Sequence, residues 1–146
     1  MSDFTYQKEL TASKLETYEW DNNWLEHCED TSTPRVLYIG DSISCATRIS
    51  LNQSANREIL FDGFGTSKAL DNEFFIPSVR TWADQQRHRR FVLFNNGLHG
   101  WHLSNEEYAA LYERFVVFLK KDFSDSQIVL LLTFFHINIF GYFFIG

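Results

Sequence analysis

The fold is decided by the stretch Val36-Leu37-Tyr38-Ile39-Gly40-Asp41-Ser42. An apolar run of four residues that ends at a glycine is typical of a short strand buried on both faces, as in a parallel sheet. Gly40 permits a tight turn at the end of this strand. A short helix is predicted from Ser42 to about Leu51, so the polar residues of the turn lie between a strand and a helix.

The alternation of strand and helix recurs along the rest of the chain. Further strands are predicted at residues 58–61, 91–94 and 128–132, helices at 11–28, 73–89 and from Ser104 to Lys121, and loops at 62–72 and 95–103. The last helix has a clear start, because Ser104 and Glu107 have the spacing of a capping box. This order favours an α/β fold with a parallel sheet covered by helices on both faces. The ligand site of such a sheet lies beyond the carboxyl ends of its strands, at a topological switch point.

Length and composition indicate one globular domain. The 146 residues are enough to bury a core, and the chain is 45% apolar and 22% charged. The formal net charge is −6 and the acidic residues are scattered, so nucleic acid is not an expected partner. The basic cluster Arg87 to Arg90 is interpreted as the solvated end of a helix.

The number of cysteines and the first residues of the chain indicate where in the cell the protein is expected. Cys28 and Cys45 are too few for a disulfide framework or a metal site, and we predict that both are small buried residues in a reducing compartment. Residues 1–9 contain charges and lack the apolar segment of a signal peptide. We therefore expect a cytoplasmic protein.

Ser42 is the first candidate for chemistry. It is predicted at the start of a helix, where backbone N–H groups and the helix dipole would stabilise an oxyanion that forms beside its hydroxyl group. The alternative is that Asp41 or Ser42 is an ordinary helix cap. Ser44 stands where the G-x-S-x-G nucleophile elbow requires a glycine, so an α/β-hydrolase is not favoured.

Two more polar segments follow predicted strands. Residues 63–67 (Gly-Phe-Gly-Thr-Ser) could bring backbone amides close to a ligand, or could form a flexible loop. Residues 94–102 contain two asparagines, two histidines and a tryptophan; asparagine amides are common oxyanion donors, and the alternative is a turn with Asx-type hydrogen bonds. The spacing of His99 and His102 could suggest a metal site, but no third ligand lies close in sequence, so we expect no metal.

Together these segments resemble the SGNH (GDSL-type) ester hydrolases. The strand that ends in Gly40-Asp41-Ser42 resembles the first sequence block of that family. The segment that begins at Gly65 resembles the second block, and the segment Asn95-Asn96-Gly97-Leu98-His99 resembles the third. Each motif is short, but their order and their position after successive strands are specific. The resemblance covers residues 34–133.

The resemblance implies a three-layer α/β/α, flavodoxin-like parallel sheet that needs no cofactor. Ser42 would be the nucleophile, and its own amide, the Gly65 amide and the side chain of Asn96 would form the oxyanion hole. Asp41 and Asn95 would support the site. In a second alignment His99 takes the place of the oxyanion-hole asparagine, and Asn96 is preferred because it directly follows the strand. The expected substrates are small-molecule acyl or acetyl esters, including acylated carbohydrates.

The family's general base comes from an Asp-x-x-His block beyond the fourth strand, and residues 134–146 do not contain it. We therefore expect three parts: an N-terminal helical segment at 1–33, an incomplete SGNH domain at 34–133 and an atypical apolar tail at 134–146, from a truncated or frame-shifted reading. Such a chain would have impaired activity, a bare sheet edge and a tendency to aggregate. His136 is a candidate replacement base.

Two other functional classes remain open from the sequence. One is a catalytically silent α/β module that binds a small acyl or sugar ligand through the same loops. The other is a tail-anchored protein, because residues 128–146 carry no charge over about the length that spans a bilayer. Membrane insertion is not favoured, since residues 128–132 suit a strand and the tail contains His136 and Asn138.

Overall fold

The computed structural model describes residues 17–85, 88–132 and 141–145. In this part of the chain, six strands and three helices form an α/β fold. The strands are β1 (Asp21–Trp24), β2 (Arg35–Gly40), β3 (Leu60–Thr66), β4 (Arg89–Phe94), β5 (Gln127–Leu132) and β6 (Gly141–Ile145), and the helices are α1 (Ser42–Ala55), α2 (Phe75–Ala83) and α3 (Asn105–Asp122). No helix among the described residues is long and apolar enough to cross a membrane.

The sheet is mostly parallel, as the alternation of strands and helices predicts. Its strand order is β1-β3-β2-β4-β5-β6. The four inner strands are parallel, and β1 and β6 are antiparallel to their neighbours. From β2 the chain passes to β3 on one side and then crosses to β4 on the other. The carboxyl ends of β2 and β4 therefore flank a topological switch point.

Helices cover both faces of the sheet. A Cβ added to Gly63 would lie 2.5 Å from Cδ of Arg48, and one added to Gly65 would lie 2.2 Å from Sγ of Cys45, so α1 packs closely on that face of β3. Phe64, between the two glycines, points to the opposite face and joins the core formed with α2 and α3. The glycines of β3 thus allow a helix to approach the sheet.

The main core lies between the sheet and the pair α2 and α3. Its centre is aromatic: the ring centroids of Phe115 and Phe94 are 4.5 Å apart, and those of Phe115 and Phe75 are 4.9 Å apart. Phe115 is only 2% exposed. At the start of α3 the predicted capping box is confirmed, with Ser104 and Glu107 each accepting from the other's backbone N–H group. The core contacts and the cap together hold α3, which begins where the loop after β4 ends.

The N-terminal helix prediction is wrong over residues 17–28, and residues 11–16 of that prediction lie outside the described residues. Asp21–Trp24 form β1, an exposed edge strand paired with β3. Helical spacing of a few apolar residues indicates a helix, but contacts distant in sequence override it. The hydroxyl groups of Thr66 and Ser67 donate to Asp21 at 2.6 Å and Glu19 at 2.7 Å.

Three other predictions need correction. Residues 62–66 belong to β3 rather than to a loop, because their glycines serve helix packing. The helix predicted at 73–89 ends at Ala83, and Arg89 is a buried residue of β4 rather than a solvated helix end. Cys28 is exposed and Cys45 is half-buried, and both are free thiols.

The edge next to β5 is covered, contrary to the prediction of a bare edge. β6 pairs antiparallel with β5, from Ile128 opposite Ile145 to Leu132 opposite Gly141. The predicted fourth strand is confirmed as β5. Of the segment considered as a membrane anchor, residues 128–132 and 141–145 are therefore strands of the sheet, and His136 lies outside the described residues.

A buried charge cluster lies among the strands. Asp62 is 0% exposed, and its Oδ1 accepts from Nη1 of Arg35 at 2.8 Å and from the backbone N–H of Glu26 at 3.0 Å. Nε of Arg89 lies 3.8 Å from Oδ2 of the same carboxylate. Burial raises the pKa of Asp62 and lowers that of Arg89 to about 10. The cluster ties the segment after β1 to the inner strands.

Candidate functional site

The carboxyl edge of the sheet brings together the turn and loops that the sequence singles out. Ser42 begins α1 directly after β2, and its side chain is exposed. The loop after β3 lies on one side of this turn, and the loop after β4 lies on the other. Neighbouring strands are about 4.8 Å apart, so the three segments meet within one small region. Ser42, the first residue of α1, therefore lies at the switch point.

Asp41 joins the β2–α1 turn to the loop after β4. Its carboxylate is completely buried: Oδ1 accepts from the backbone N–H of Ile43 at 2.9 Å and from Nδ2 of Asn95 at 3.2 Å. Oδ2 accepts from the backbone N–H of Leu98 at 3.4 Å. Asp41 is thus the N-cap of α1 and a connection between two loops. This arrangement positions neighbouring groups and does not expose the carboxylate to a ligand.

Gly40 allows Asn95 to reach Asp41. A Cβ at this position would lie 2.1 Å from Oδ1 of Asn95 and 2.7 Å from Cβ of Ser44, so no side chain fits without a shift of its neighbours. The Ser44 hydroxyl is also buried and donates to the backbone carbonyl of Asp41 at 2.7 Å. Glycine at position 40 therefore has a steric reason in the packing of Asn95 and Ser44.

The two asparagines after β4 are both buried. Asn95 is 1% exposed and bonds to Asp41; Asn96 is 2% exposed, and its Nδ2 donates to the backbone carbonyl of Lys68 at 3.4 Å. The carbonyl of Asn96 accepts from the hydroxyl of Tyr108 on α3. Burial raises the pKa of Tyr108, so this hydroxyl stays protonated and can donate. Asn96 therefore links the loop after β4 to the loop after β3, and its role as an oxyanion donor stays a prediction.

Gly65 lies within β3, opposite Asn22 of β1 and Gly40 of β2. The missing side chain makes room for Cys45, whose Sγ would be 2.2 Å from an added Cβ. The close packing of α1 is one reason for glycine at this position. The use of the Gly65 amide as an oxyanion donor stays a prediction.

The segment before β1 contacts the loops that follow β3 and β4, and the sequence did not indicate these contacts. The backbone N–H of Ser67 donates to the carbonyl of Trp20 at 3.1 Å, and the Ser67 hydroxyl accepts from the Trp20 N–H at 2.8 Å. The Trp20 ring meets His99 edge to face, with centroids 6.2 Å apart. His99 therefore joins the loop after β4 to the N-terminal segment. Because these partners are 47 or more residues apart, no local pattern could have revealed them.

A histidine–carboxylate pair also lies at this edge. Nε2 of His102 is 2.7 Å from Oδ2 of Asp71, and the two side chains are 22% and 30% exposed. His102 belongs to the loop after β4, and Asp71 to the loop after β3. The sequence offers His102 as a metal ligand and, with His99 and His136, as one of three histidines to test as a base, but it does not indicate Asp71 as the partner of His102. Within the described residues, no three His, Cys, Asp or Glu side chains are grouped so that they could hold a metal ion.

The fold and the site define an α/β protein with a serine at a helix N-terminus and two polar loops at the carboxyl edge of a mostly parallel sheet. No family model matches the chain, and no curated protein matches it.

Proposed function

We propose that the chain is a serine ester hydrolase of the SGNH (GDSL) type, with Ser42 as its nucleophile. Its substrates would be acyl or acetyl esters of small molecules, including acylated carbohydrates. The observation that carries the proposal is the position of Ser42: it is exposed, it begins α1, and the buried carboxylate of Asp41 fixes the turn in front of it. A serine in this position can attack an ester beside the N–H groups of a helix N-terminus.

The sheet topology supports the same proposal. The four parallel strands have the order β3-β2-β4-β5. Numbered along the chain as parallel strands alone, this is the order 2-1-3-4 of flavodoxin-like sheets, in which ligands bind at the switch point beside the first strand. Ser42 follows that strand directly. The flavodoxin-like SGNH fold is therefore part of the proposal.

The proposed chemistry is acyl transfer through Ser42. Its oxygen attacks the ester carbonyl, and the negative charge that develops on the carbonyl oxygen faces the N-terminal amides of α1. The amide of Asn96 has a second hydrogen besides the one that faces Lys68, and this hydrogen can donate to the same oxyanion. Gly65 is the third proposed donor. Asp41 and Asn95 act as positioning residues, because both are buried and bonded to each other.

The test compares p-nitrophenyl acetate hydrolysis by the wild-type chain, Ser42→Ala and Ser50→Ala. Ser50 is an exposed serine on the same helix and is the matched control. We expect Ser42→Ala to lose hydrolysis and covalent labelling by a fluorophosphonate, and Ser50→Ala to keep both. Equal rates in the wild type and Ser42→Ala, without labelling of Ser42, would refute the proposal. Binding of an acetylated sugar in that case would favour a silent ligand-binding module.

A further inference from the structure

We infer that His102, held by Asp71, is the proton-transfer residue of the Ser42 site. The inference rests on the proposed function and adds a general base from within the described part of the chain. It is carried by the contact between the two side chains, by their accessibility and by the position of their loops on either side of β2.

The contact determines which ring nitrogen of His102 can act as a base. A carboxylate only accepts hydrogen bonds, so the nitrogen that faces Asp71, Nε2, carries a hydrogen. In the neutral imidazole the other nitrogen, Nδ1, then has the free lone pair. Both side chains are partly exposed, so a substrate or a water molecule can reach them. A histidine whose tautomer is fixed by a carboxylate is the usual form of a general base for a serine hydroxyl.

The topology places the loops that carry the pair on either side of the strand that leads to Ser42. Asp71 follows β3 and His102 follows β4, and β2 lies between these strands. The contact between Asp71 and His102 therefore joins the two loops that follow the strands on either side of β2.

Two further contacts hold these loops together near the same turn. Nδ2 of Asn96 donates to the carbonyl of Lys68, and a Cβ added to Gly100 would lie 3.5 Å from Cβ of Ala69. The loop that carries His102 is also bonded to Asp41, the residue before Ser42, through the N–H of Leu98. The pair therefore lies on loops that are joined to each other and to the residue before Ser42.

The proton transfer has two balanced halves. As the Ser42 oxygen bonds to the acyl carbon, its proton moves to Nδ1 of His102, directly or through one water molecule, and the carbonyl π electrons move to the carbonyl oxygen. When the oxyanion collapses, the bond from the acyl carbon to the alkoxy oxygen breaks, and the alcohol leaves with the proton from Nδ1. A water molecule then repeats both steps on the acyl-serine, which yields the carboxylic acid and restores Ser42.

The experiment measures kcat and KM for p-nitrophenyl acetate with the full chain. We expect His102→Ala to lower kcat by on the order of 100-fold with little change in KM, and added imidazole to restore part of the rate. Asp71→Asn should lower kcat by up to the same factor, on the order of 100-fold, because the amide no longer fixes the tautomer of His102. Imidazole should not rescue this variant, because the ring of His102 still fills the site. The matched control is His27→Asn, which removes a histidine paired with Glu29 at 3.2 Å and should leave kcat unchanged. The carbonyl of His27 accepts from Arg35 at the amino end of β2, and Ser42 follows the carboxyl end of this strand.

The outcomes separate this inference from the proposed function. If Ser42→Ala loses activity and labelling while His102→Ala stays within about twofold of the wild type, the base lies elsewhere and only the inference fails. If His102→Ala loses activity, melts earlier and is not rescued by imidazole, its role is structural and the inference is again overturned. If Ser42→Ala is fully active, the proposed function fails and the inference fails with it. His102→Gln, which can still donate to Asp71, replaces His102→Ala should the alanine variant not fold.

Discussion

Replacement of Asp41 by asparagine removes a buried charge and keeps the shape of the side chain. The carboxylate is 0% exposed and accepts from the N–H groups of Ile43 and Leu98 and from the amide of Asn95. Asparagine is also a good N-cap, so the bond to Ile43 can remain. Its amide nitrogen, however, must take the place of one carboxylate oxygen. The variant therefore tests the connection between the two loops rather than the helix cap.

The expected loss in the free energy of unfolding follows from these three hydrogen bonds. A hydrogen bond to a charged acceptor contributes about 1.5–3 kcal/mol, and a neutral one about 0.5–1.5 kcal/mol. In the variant the longest bond, to Leu98 at 3.4 Å, becomes a contact between two donors, and the other two lose their charge assistance. Water cannot replace the lost hydrogen bond to Leu98, because Asp41 is fully buried. We expect the free energy of unfolding to fall by about 2–4 kcal/mol.

Urea denaturation of the wild type and Asp41→Asn measures this loss directly. The matched control is Asp125→Asn, an exposed aspartate, which should change the free energy of unfolding by less than about 0.5 kcal/mol. A double-mutant cycle with Asn95→Ala should give a coupling energy of about 1 kcal/mol or more, because the two side chains are bonded. An Asp41→Asn variant as stable as Asp125→Asn would refute the reasoning. So would strict additivity in the cycle.

Three further predictions concern the core and the buried polar groups. Phe115→Ala should lower the free energy of unfolding by about 3–5 kcal/mol in urea, because the aromatic core is close-packed around this ring. Asp62→Asn should cost about 3–5 kcal/mol in the same assay, since two guanidinium groups remain buried without their counter-charge. Burial raises the pKa of Tyr112 to about 12. The contribution of this shift to the free energy of unfolding is complete below about pH 10 and is lost as pH rises through the folded pKa. The alkaline loss of stability should therefore be smaller in Tyr112→Phe.

Each of these predictions has an outcome that contradicts it. A cost below about 1 kcal/mol for Phe115→Ala would mean that the ring is not at the centre of a packed core. If Asp62→Asn is as stable as the wild type, the guanidinium groups must reach water or another anion. Identical alkaline slopes for Tyr112→Phe and the wild type, with unfolding followed between about pH 9 and pH 11, would show that this tyrosine titrates alike in both states.

Local patterns in the sequence were enough to predict the inner part of the fold. The run Val36–Ile39 is apolar on both faces because β2 is buried on both faces, and the capping box at Ser104 starts α3 where predicted. In both cases the information lies within a few residues of the element. The same holds for the loop at 95–103, which lies between two elements with clear boundaries.

The outer strands could not be predicted in this way. The residues of β1, Asp-Asn-Asn-Trp, are all exposed and three of them have low strand propensity. They form a strand because β3 offers an unpaired edge and the side chains of Thr66 and Ser67 accept and donate hydrogen bonds there. Gly63 and Gly65 are equally ambiguous, since glycine suits both a loop and a strand that a helix approaches closely.

For the candidate site, the position of Ser42 could be predicted but its surroundings could not. A residue directly after a buried strand lies at the carboxyl edge of the sheet whatever the rest of the chain does. The partners of Asp41 and of His102, in contrast, are up to 57 and 31 residues away in sequence. Contacts at this separation depend on strand order, which a single sequence with four similar apolar strands does not determine.

The two aspartates of the carboxyl edge differ in the property that decides their roles. Asp41 is fully buried and accepts three hydrogen bonds, so its carboxylate holds the turn and the loop together. Asp71 is partly exposed and is hydrogen-bonded to a histidine that is also accessible. This carboxylate can therefore stabilise the ring when the ring takes up a proton. In the proposed hydrolase, Asp41 holds the turn in front of Ser42, and Asp71 orients the proposed base His102.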